Sequence, residues 1–136
     1  MGYQTATTDA CETYAFESPE AFRAWLIEHQ DSPQGVWLSL AKRNSRTTML
    51  TYLEALEVAL QHGWIDGQAR RGDEDTYVQR FSPRRRRSHW SGPNRRRAEV
   101  LIAEGRMAPR GLAEVERARA DGRWDGADAH DTLGTQ

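Results

Sequence analysis

The sequence predicts an α+β fold, in which a small antiparallel sheet of about three strands packs against about four helices in a single domain. Four segments repeat apolar residues at helical spacing, and three others are short and apolar or aromatic, with turn residues on both sides. A length of 136 residues suits one domain. We expect this domain to span residues 18–124, after an N-terminal lead-in of residues 1–17 that lacks a clear period.

The first helix is predicted near residues 19–30. Ser18 can cap this helix, and Pro19 is tolerated in the first turn because its missing N–H has no helical partner there. The apolar stripe of the helix consists of Phe22, Trp25, Leu26 and His29. A turn over residues 31–35 then leads to a predicted strand over 36–41, in which apolar residues alternate.

The second helix, near residues 52–62, has the clearest signals in the chain. Thr51 and Glu54 have the spacing of a capping box, in which each side chain accepts a hydrogen bond from the backbone of the other residue. Gly63 is a natural stop, because glycine adopts the positive φ that ends many helices. This segment therefore fixes the helical register in the middle of the chain.

The second half of the sequence predicts a β-hairpin and two further helices. Strands are expected over 64–70 and 76–82, on either side of an acidic turn. Ser91 to Glu104 indicates the third helix, and Pro109 to Gly122 indicates the fourth. The inward residues of the fourth helix are predicted to be Leu112, Val115 and Ala118. Small polar residues over 125–136 are typical of a flexible C-terminal tail.

Positive charge is concentrated in one part of the chain. The formal net charge is only -1, yet the segment from Arg70 to Arg97 holds ten arginines and three acids. That segment carries a balance of +7, and the remainder of the chain carries -8. A high arginine content can follow from codon usage, but codon usage does not choose positions. The clustering therefore points to an anion-attracting region.

Several broad classes of protein are disfavoured by composition and motifs. A mean hydropathy of -0.84 and the lack of an apolar run of about 18 residues argue against a membrane span. The polar start of the chain and the single cysteine, Cys11, favour a cytoplasmic location. The sequence contains no phosphate-binding glycine loop and no metal-ligand spacing, so we expect no cofactor and no metal.

The strand over 64–70 contains the first candidate site. On a strand, Trp64, Asp66 and Gln68 share one face, which would combine an aromatic surface, a carboxylate and an amide. Asp66 could act there as a general base or anchor a ligand amine. The alternative is structural: Asp66 pairs with Arg80 of the following strand as an ion pair between the two strands.

The second candidate site is the basic loop, which has aromatic residues on either side. Its expected ligand-binding residues are Arg80, Arg84, His89 and Trp90, which could hold an anion while a ring stacks on a planar ligand. Ser91 begins a helix whose N-terminus could also attract an anion. Intramolecular pairing of the arginines is an alternative. A nucleic-acid interface through Arg84–Arg97 is a further alternative, disfavoured because the acidic remainder of the chain would repel a polyanion.

Several motifs resemble those of the YdeI/OmpD-associated, or bacteriocin-protection, family. They are Thr51–Leu56, Gly63–Gly67, Arg80–Arg84, Ser88–Ser91 with Asn94, and Ala103–Met107 with Gly111 and Leu112. The resemblance covers about residues 18–124. It implies a link to tolerance of antimicrobial peptides and to envelope stress, and it offers no catalytic residues to carry over.

These observations lead to an expected function with two alternatives. The expected function is a small cytoplasmic binding protein of stress or antimicrobial tolerance, which sequesters a planar or anionic small molecule. In this reading Trp64 and Trp90 stack on the ligand. The first alternative is an enzyme of specialised metabolism with Asp66 as the general base and Arg80 as the oxyanion partner. The second alternative is the nucleic-acid-binding module through Arg84–Arg97.

Overall fold

The computed structural model describes residues 3–8, 11–43, 45 and 49–132, and these contain five strands and five helices. The strands are β1 (Tyr3–Thr8), β2 (Cys11–Phe16), β3 (Val36–Ala41), β4 (Trp64–Arg70) and β5 (Thr76–Pro83). The helices are α1 (Pro19–Glu28), α2 (Tyr52–Gln61), α3 (Gly92–Ala103), α4 (Pro109–Asp121) and α5 (Arg123–Thr132). The α+β class predicted from the sequence is therefore confirmed.

The five strands form one mixed sheet in the order β1-β2-β3-β5-β4. β1 pairs with β2 and β3 pairs with β5 in antiparallel fashion, whereas β2 and β3 are parallel. In the β3–β5 pair, Val36 lies opposite Phe81 and Trp37 lies opposite Arg80. Because partners in an antiparallel pair point to the same face of the sheet, Trp37 and Arg80 share one face and Val36 and Phe81 share the other.

The strand count differs from the prediction of about three because two strands lie in the predicted lead-in. Residues 1–17 contain β1 and β2, and the last residue of β2, Phe16, is fully buried. The sequence over 3–16 shows weak alternation, so its strand character comes from pairing with neighbouring strands and not from a local signal. Residues 1, 2, 9 and 10 of this lead-in lie outside the described residues.

The chain divides into two compact units. The first unit consists of Met1–Ala59 and Ile65–Pro83 and contains most of the sheet with α1. Its core is a series of aromatic contacts: the ring of Phe22 lies 5.5 Å from Phe16 and 6.0 Å from Phe81. The predicted start of α1 is confirmed, because the Ser18 side chain accepts a hydrogen bond from the Ala21 amide at 3.1 Å. These aromatic side chains hold α1 against the strands.

The capping box at the start of α2 is also confirmed. The Thr51 amide donates to Glu54 Oε1 at 3.0 Å, and the Glu54 amide donates to Thr51 Oγ1 at 3.3 Å. Gly63 has a φ of 79° and lies two residues after the end of α2, where a stop was predicted. Local signals of this kind satisfy backbone groups within four residues, so the sequence predicted them without knowledge of the tertiary structure.

The second unit consists of Leu60–Trp64 and Arg84–Gln136 and contains α3, α4 and α5. Ser91 caps α3 as predicted, since its Oγ accepts a hydrogen bond from the Asn94 amide at 3.2 Å. In α4, Val115 and Ala118 are buried as predicted, but Leu112 is 37% exposed. Gly111 takes the buried position instead, because an added Cβ there would lie 2.2 Å from the Gln61 carbonyl oxygen. This close backbone approach turns Leu112 outward.

The predicted flexible tail is helical in its described part. Residues 123–132 form α5, and Trp124 is 4% exposed. The Trp124 ring meets the Trp90 ring edge-on at 5.0 Å. The buried Trp124 ring therefore holds this segment of small polar residues within the second unit. The composition of the segment did not predict this contact. The last four residues of the predicted tail lie outside the described residues.

Candidate functional site

A cleft of about 640 Å³ opens on the first unit. Its lining residues are Tyr14, Trp25, His29, Ser32, Gln34, Gly35, Val36, Trp37, Gln68, Arg70 and Arg80. They come from β2, the C-terminal end of α1, the turn that follows it, and strands β3, β4 and β5. None of these described lining residues is an aspartate or a glutamate. The cleft therefore combines aromatic rings with positive charge.

Trp37 and the two arginines form one wall of the cleft. The Arg70 Cζ atom lies 4.2 Å from the centre of the Trp37 ring, a cation–π contact. Arg80 lies opposite Trp37 in the β3–β5 pair and on the same face of the sheet. Arg70 therefore contacts the indole ring, and Arg80 lies on the same face of the sheet as that ring.

Arg80 is held by the turn that precedes β3. Its Nε and Nη2 atoms both donate hydrogen bonds to the Gln34 carbonyl oxygen, at 2.9 and 2.6 Å. Nη1 makes no hydrogen bond to a described residue, so this end of the guanidinium is available to an anion. The side chain is thus fixed before any ligand arrives.

Trp25 of α1 and His29, which follows the end of α1, also line the cleft. The two rings are stacked with their centres 4.1 Å apart and their planes within 10°. The Trp25 carbonyl oxygen lies 2.7 Å from His29 Nδ1 and can only accept, so Nδ1 carries the proton. Nε2 is then an acceptor in the neutral ring and a donor in the protonated ring. The exposed imidazole therefore presents a fixed edge and one open ring face.

The turn over residues 31–35 passes close to β5, and this approach requires a glycine at position 35. Gly35 has a φ of 71°, and an added Cβ would lie 2.1 Å from the Phe81 carbonyl oxygen. No other residue fits so close to β5 without moving the backbone. This approach brings the Gln34 carbonyl within reach of Arg80.

Only two of the predicted ligand-binding residues line the cleft, Gln68 and Arg80. The sequence contains only helix or strand signals at Trp25, Trp37 and His29, so it did not predict that these residues line a site. Arg70 was visible as the first arginine of the basic segment. Because the turn before β3 and the end of β4 meet only through the sheet order, no local signal could have joined these residues.

Asp66 lies in a separate polar contact. Its Oδ2 atom accepts a hydrogen bond from the Tyr52 hydroxyl at 2.8 Å and lies 3.5 Å from Gln79 Nε2. Burial and, after it, the nearby Asp66 carboxylate raise the pKa of Tyr77. The structure therefore shows a hydrogen bond from Tyr52 of α2 to Asp66 in place of the predicted ion pair between Asp66 and Arg80. Arg80 follows Gln79 in β5 and points to the opposite face of the sheet, so Asp66 and Arg80 do not form a catalytic pair.

Trp64 and Trp90 are core residues and not stacking platforms. They are 1% and 2% exposed, respectively, so the expectation that they stack on a ligand is corrected. Trp64 follows directly on α2, and Trp90 packs against Trp124. The shared open face predicted for residues 64, 66 and 68 is therefore not formed. Aromatic residues beside charged ones in a sequence do not reveal whether their rings are covered.

Arg84 is also buried, at 7% exposure. Its Cζ lies 3.7 Å from the centre of the Trp90 ring, and its Nη1 donates to the His89 carbonyl oxygen at 3.1 Å. His89 itself is exposed and takes part through its backbone. Arg84 therefore makes contacts within the chain, as the alternative of intramolecular pairing predicted. In contrast, residues 85–87 are exposed.

Comparison with known protein families shows to which family this chain belongs. The profile of the domain of unknown function DUF8412 matches residues 14–114. The chain belongs to this family. No curated protein and no solved structure matches it.

The DUF8412 match includes the whole lining of the cleft, which runs from Tyr14 to Arg80. It ends within α4, so Trp124 and α5 lie beyond it. Within the described residues of this DUF8412 chain, no three metal-ligating side chains lie together, and no helix has the length and apolar character to cross a bilayer.

Proposed function

We propose that this protein is a small cytoplasmic binding protein that sequesters a planar or anionic small molecule in the cleft. The observation that carries the proposal is a cleft that combines aromatic rings with Arg70 and Arg80, with no carboxylate side chain among its described lining residues. The two charged side chains among the described lining residues are both arginines, so their field attracts a negative group. The cleft therefore favours an anionic group.

The cationic and polar groups are positioned before binding. Arg70 lies over Trp37, Arg80 is fixed by the Gln34 carbonyl, and His29 is fixed by its contact with Trp25. Preorganised groups lose little conformational entropy when a ligand binds, so more of the interaction energy appears as affinity. Such a site suits a protein that protects by holding a compound.

The role in stress or antimicrobial tolerance is proposed from the resemblance to the YdeI/OmpD-associated family. Sequestration requires affinity without turnover. It agrees with a cleft built from ring contacts and fixed cations, and with the location of Asp66 outside that cleft. A protein with this function would protect in proportion to its concentration.

A thermal-shift panel of aromatic anions and antibiotics tests the proposal. A ligand at 100 times its Kd should stabilise the fold by about 2.7 kcal/mol, seen as a higher Tm. Arg70→Ala should abolish the shift, because it removes one of the two guanidinium groups. Arg71→Ala is the matched control, since this exposed neighbour does not line the cleft.

Two results would contradict the proposal. One is a panel with no stabilising compound at any concentration tested. The other is a stabilising compound whose effect survives Arg70→Ala unchanged, since that compound would bind elsewhere. Turnover of a bound compound would replace sequestration with catalysis.

We also expect no tight binding of duplex DNA. Arg84 is buried and Arg95 is paired with Glu99 at 3.2 Å, which reduces the number of arginines that can meet phosphates together. A gel shift that is retained at physiological salt with nanomolar protein would overturn this expectation.

A further inference from the structure

We propose that the turn over residues 85–88, here called the arginine turn, attaches this protein to the surface of an anionic bilayer. The turn contains three consecutive arginines, Arg85, Arg86 and Arg87, and all three are exposed. It belongs to the second unit, and none of its residues lines the cleft, so this inference is independent of the proposed function. Three features support it: the fixed backbone of the turn, the unpaired charge of its arginines, and the polar character of its exposed side chains.

Hydrogen bonds fix the backbone of the arginine turn. The Arg85 amide donates to Ser88 Oγ at 2.6 Å, and the Ser88 amide donates to the Arg85 carbonyl oxygen at 3.0 Å. The Ser88 carbonyl oxygen accepts a hydrogen bond from Arg123 Nη1 at 2.7 Å. Arg84, which precedes the turn, lies over the buried Trp90 ring. The backbone that carries the three exposed arginines is therefore held at both of its ends.

The positive charge of the arginine turn is not neutralised within the part of the chain that the structure describes. Arg85, Arg86 and Arg87 make no ion pair and no side-chain hydrogen bond there. Other arginines of the second unit are paired with carboxylates: Arg95, Arg106, Arg117, Arg119 and Arg123. An anionic surface can therefore attract the arginines of the turn without first breaking an ion pair.

The charge of the whole second unit has the sign that an acidic surface attracts. Its sequence holds twelve arginines and eight acidic residues, which gives a net charge of +4. The acidic side chains nearest to the turn in sequence come only at Glu99 and beyond. The field around the arginine turn is therefore positive.

A fluid bilayer is the partner that fits a surface of this kind. The exposed side chains of residues 85–89 are arginines and His89, so the turn offers no apolar side chain to a partner helix. The neighbouring Trp90 is buried and gives no ring on which nucleobases could stack. A rigid polyanion has to match the spacing of the arginines, whereas acidic lipids diffuse laterally until a headgroup meets each guanidinium group. The surface therefore fits a layer of acidic lipids.

The expected attachment is peripheral and reversible. Each basic side chain near an acidic bilayer strengthens binding about fivefold, so three arginines should contribute about a hundredfold. The attraction extends over about one Debye length, which is about 8 Å at physiological salt. Binding should therefore depend steeply on the salt concentration.

Co-sedimentation with lipid vesicles tests this inference. The protein should bind vesicles of equal parts phosphatidylglycerol and phosphatidylcholine about a hundredfold more tightly than vesicles of phosphatidylcholine alone. Salt at about 1 M, where the Debye length is about 3 Å, should abolish this preference. The triple variant Arg85→Gln/Arg86→Gln/Arg87→Gln should also lose it. The variant should keep the fold, because the three side chains make no contact that holds the turn.

The matched control is the triple variant Arg106→Gln/Arg117→Gln/Arg119→Gln. It removes the same amount of charge from arginines that are already paired, so it should keep most of the preference. An equal loss in the control would overturn the assignment to the turn, because net charge alone would then explain the binding. Equal binding to both kinds of vesicle, or binding that persists in about 1 M salt, would overturn attachment through arginine charge. Tighter binding to a single-stranded oligonucleotide than to the acidic vesicles, at equal phosphate concentration, would overturn the choice of a bilayer.

Discussion

The hydrogen bond between Tyr52 and Asp66 should make a measurable contribution to the stability of the first unit. It joins a phenol on α2 to a carboxylate on β4 at 2.8 Å, and both residues are half-buried. A hydrogen bond to a charged group contributes about 1.5–3 kcal/mol, and partial exposure reduces this to about 1–2 kcal/mol. Tyr52→Phe removes only the hydroxyl, so the free energy of unfolding should fall by about that amount.

A double-mutant cycle measures this contact directly. Urea unfolding is followed for the wild type, Tyr52→Phe, Asp66→Ala and the double variant, and the coupling energy should be about 1 kcal/mol or more. Gln79 keeps its 3.0 Å hydrogen bond to the Gly67 carbonyl in every variant, so the strand contact is retained. Additive losses within about 0.5 kcal/mol would show that the two residues do not interact. Loss of ligand binding in folded Asp66→Ala would refute the structural role assigned to Asp66.

Three further predictions concern stability. Trp124→Ala should lower the free energy of unfolding by about 3–5 kcal/mol, because it removes the buried ring that anchors α5; chemical denaturation measures the loss. Three turn hydrogen bonds lower the pKa of Asp73, so its stabilisation is present above its unfolded pKa and is lost as pH falls through the lower folded value. Asp73→Asn should therefore flatten the acid limb of the stability profile, measured by urea unfolding at a series of pH values. Gly111→Ala should cost about 2 kcal/mol or more through its clash with Gln61, whereas Gly126→Ala, which meets open space, should stabilise by about 0.5–1 kcal/mol; equal Tm values for the two would contradict this packing.

Elements whose signals lie within a few residues were predictable from the sequence. The Ser18 and Ser91 caps, the Thr51–Glu54 capping box and the Gly63 stop all satisfy backbone groups locally. The strands β4 and β5 were predicted for the same reason, since a turn of polar residues separates them. These features depend on interactions between residues that are close in the sequence, so the sequence predicts them directly.

The features that depend on distant partners were not predictable in this way. β1 and β2 are held by pairing, and α5 is held by the contact between Trp90 and Trp124. The cleft unites Trp37 with Arg70 through the order of strands in the sheet. A single sequence contains no signal for that order, so the site was assigned to the dense arginine run instead.

The most direct test of anion binding in the cleft is a change of charge at Gln68. This residue is exposed and lines the cleft, so Gln68→Glu adds a carboxylate without removing core packing, and Gln68→Met is the uncharged control of similar size. In calorimetric titrations with phenyl phosphate, an aromatic anion, Gln68→Glu should weaken binding by about tenfold or more, while Gln68→Met should retain most of the affinity. Equal affinity in Gln68→Glu and the wild type would contradict the assignment of this cleft as an anion-binding site.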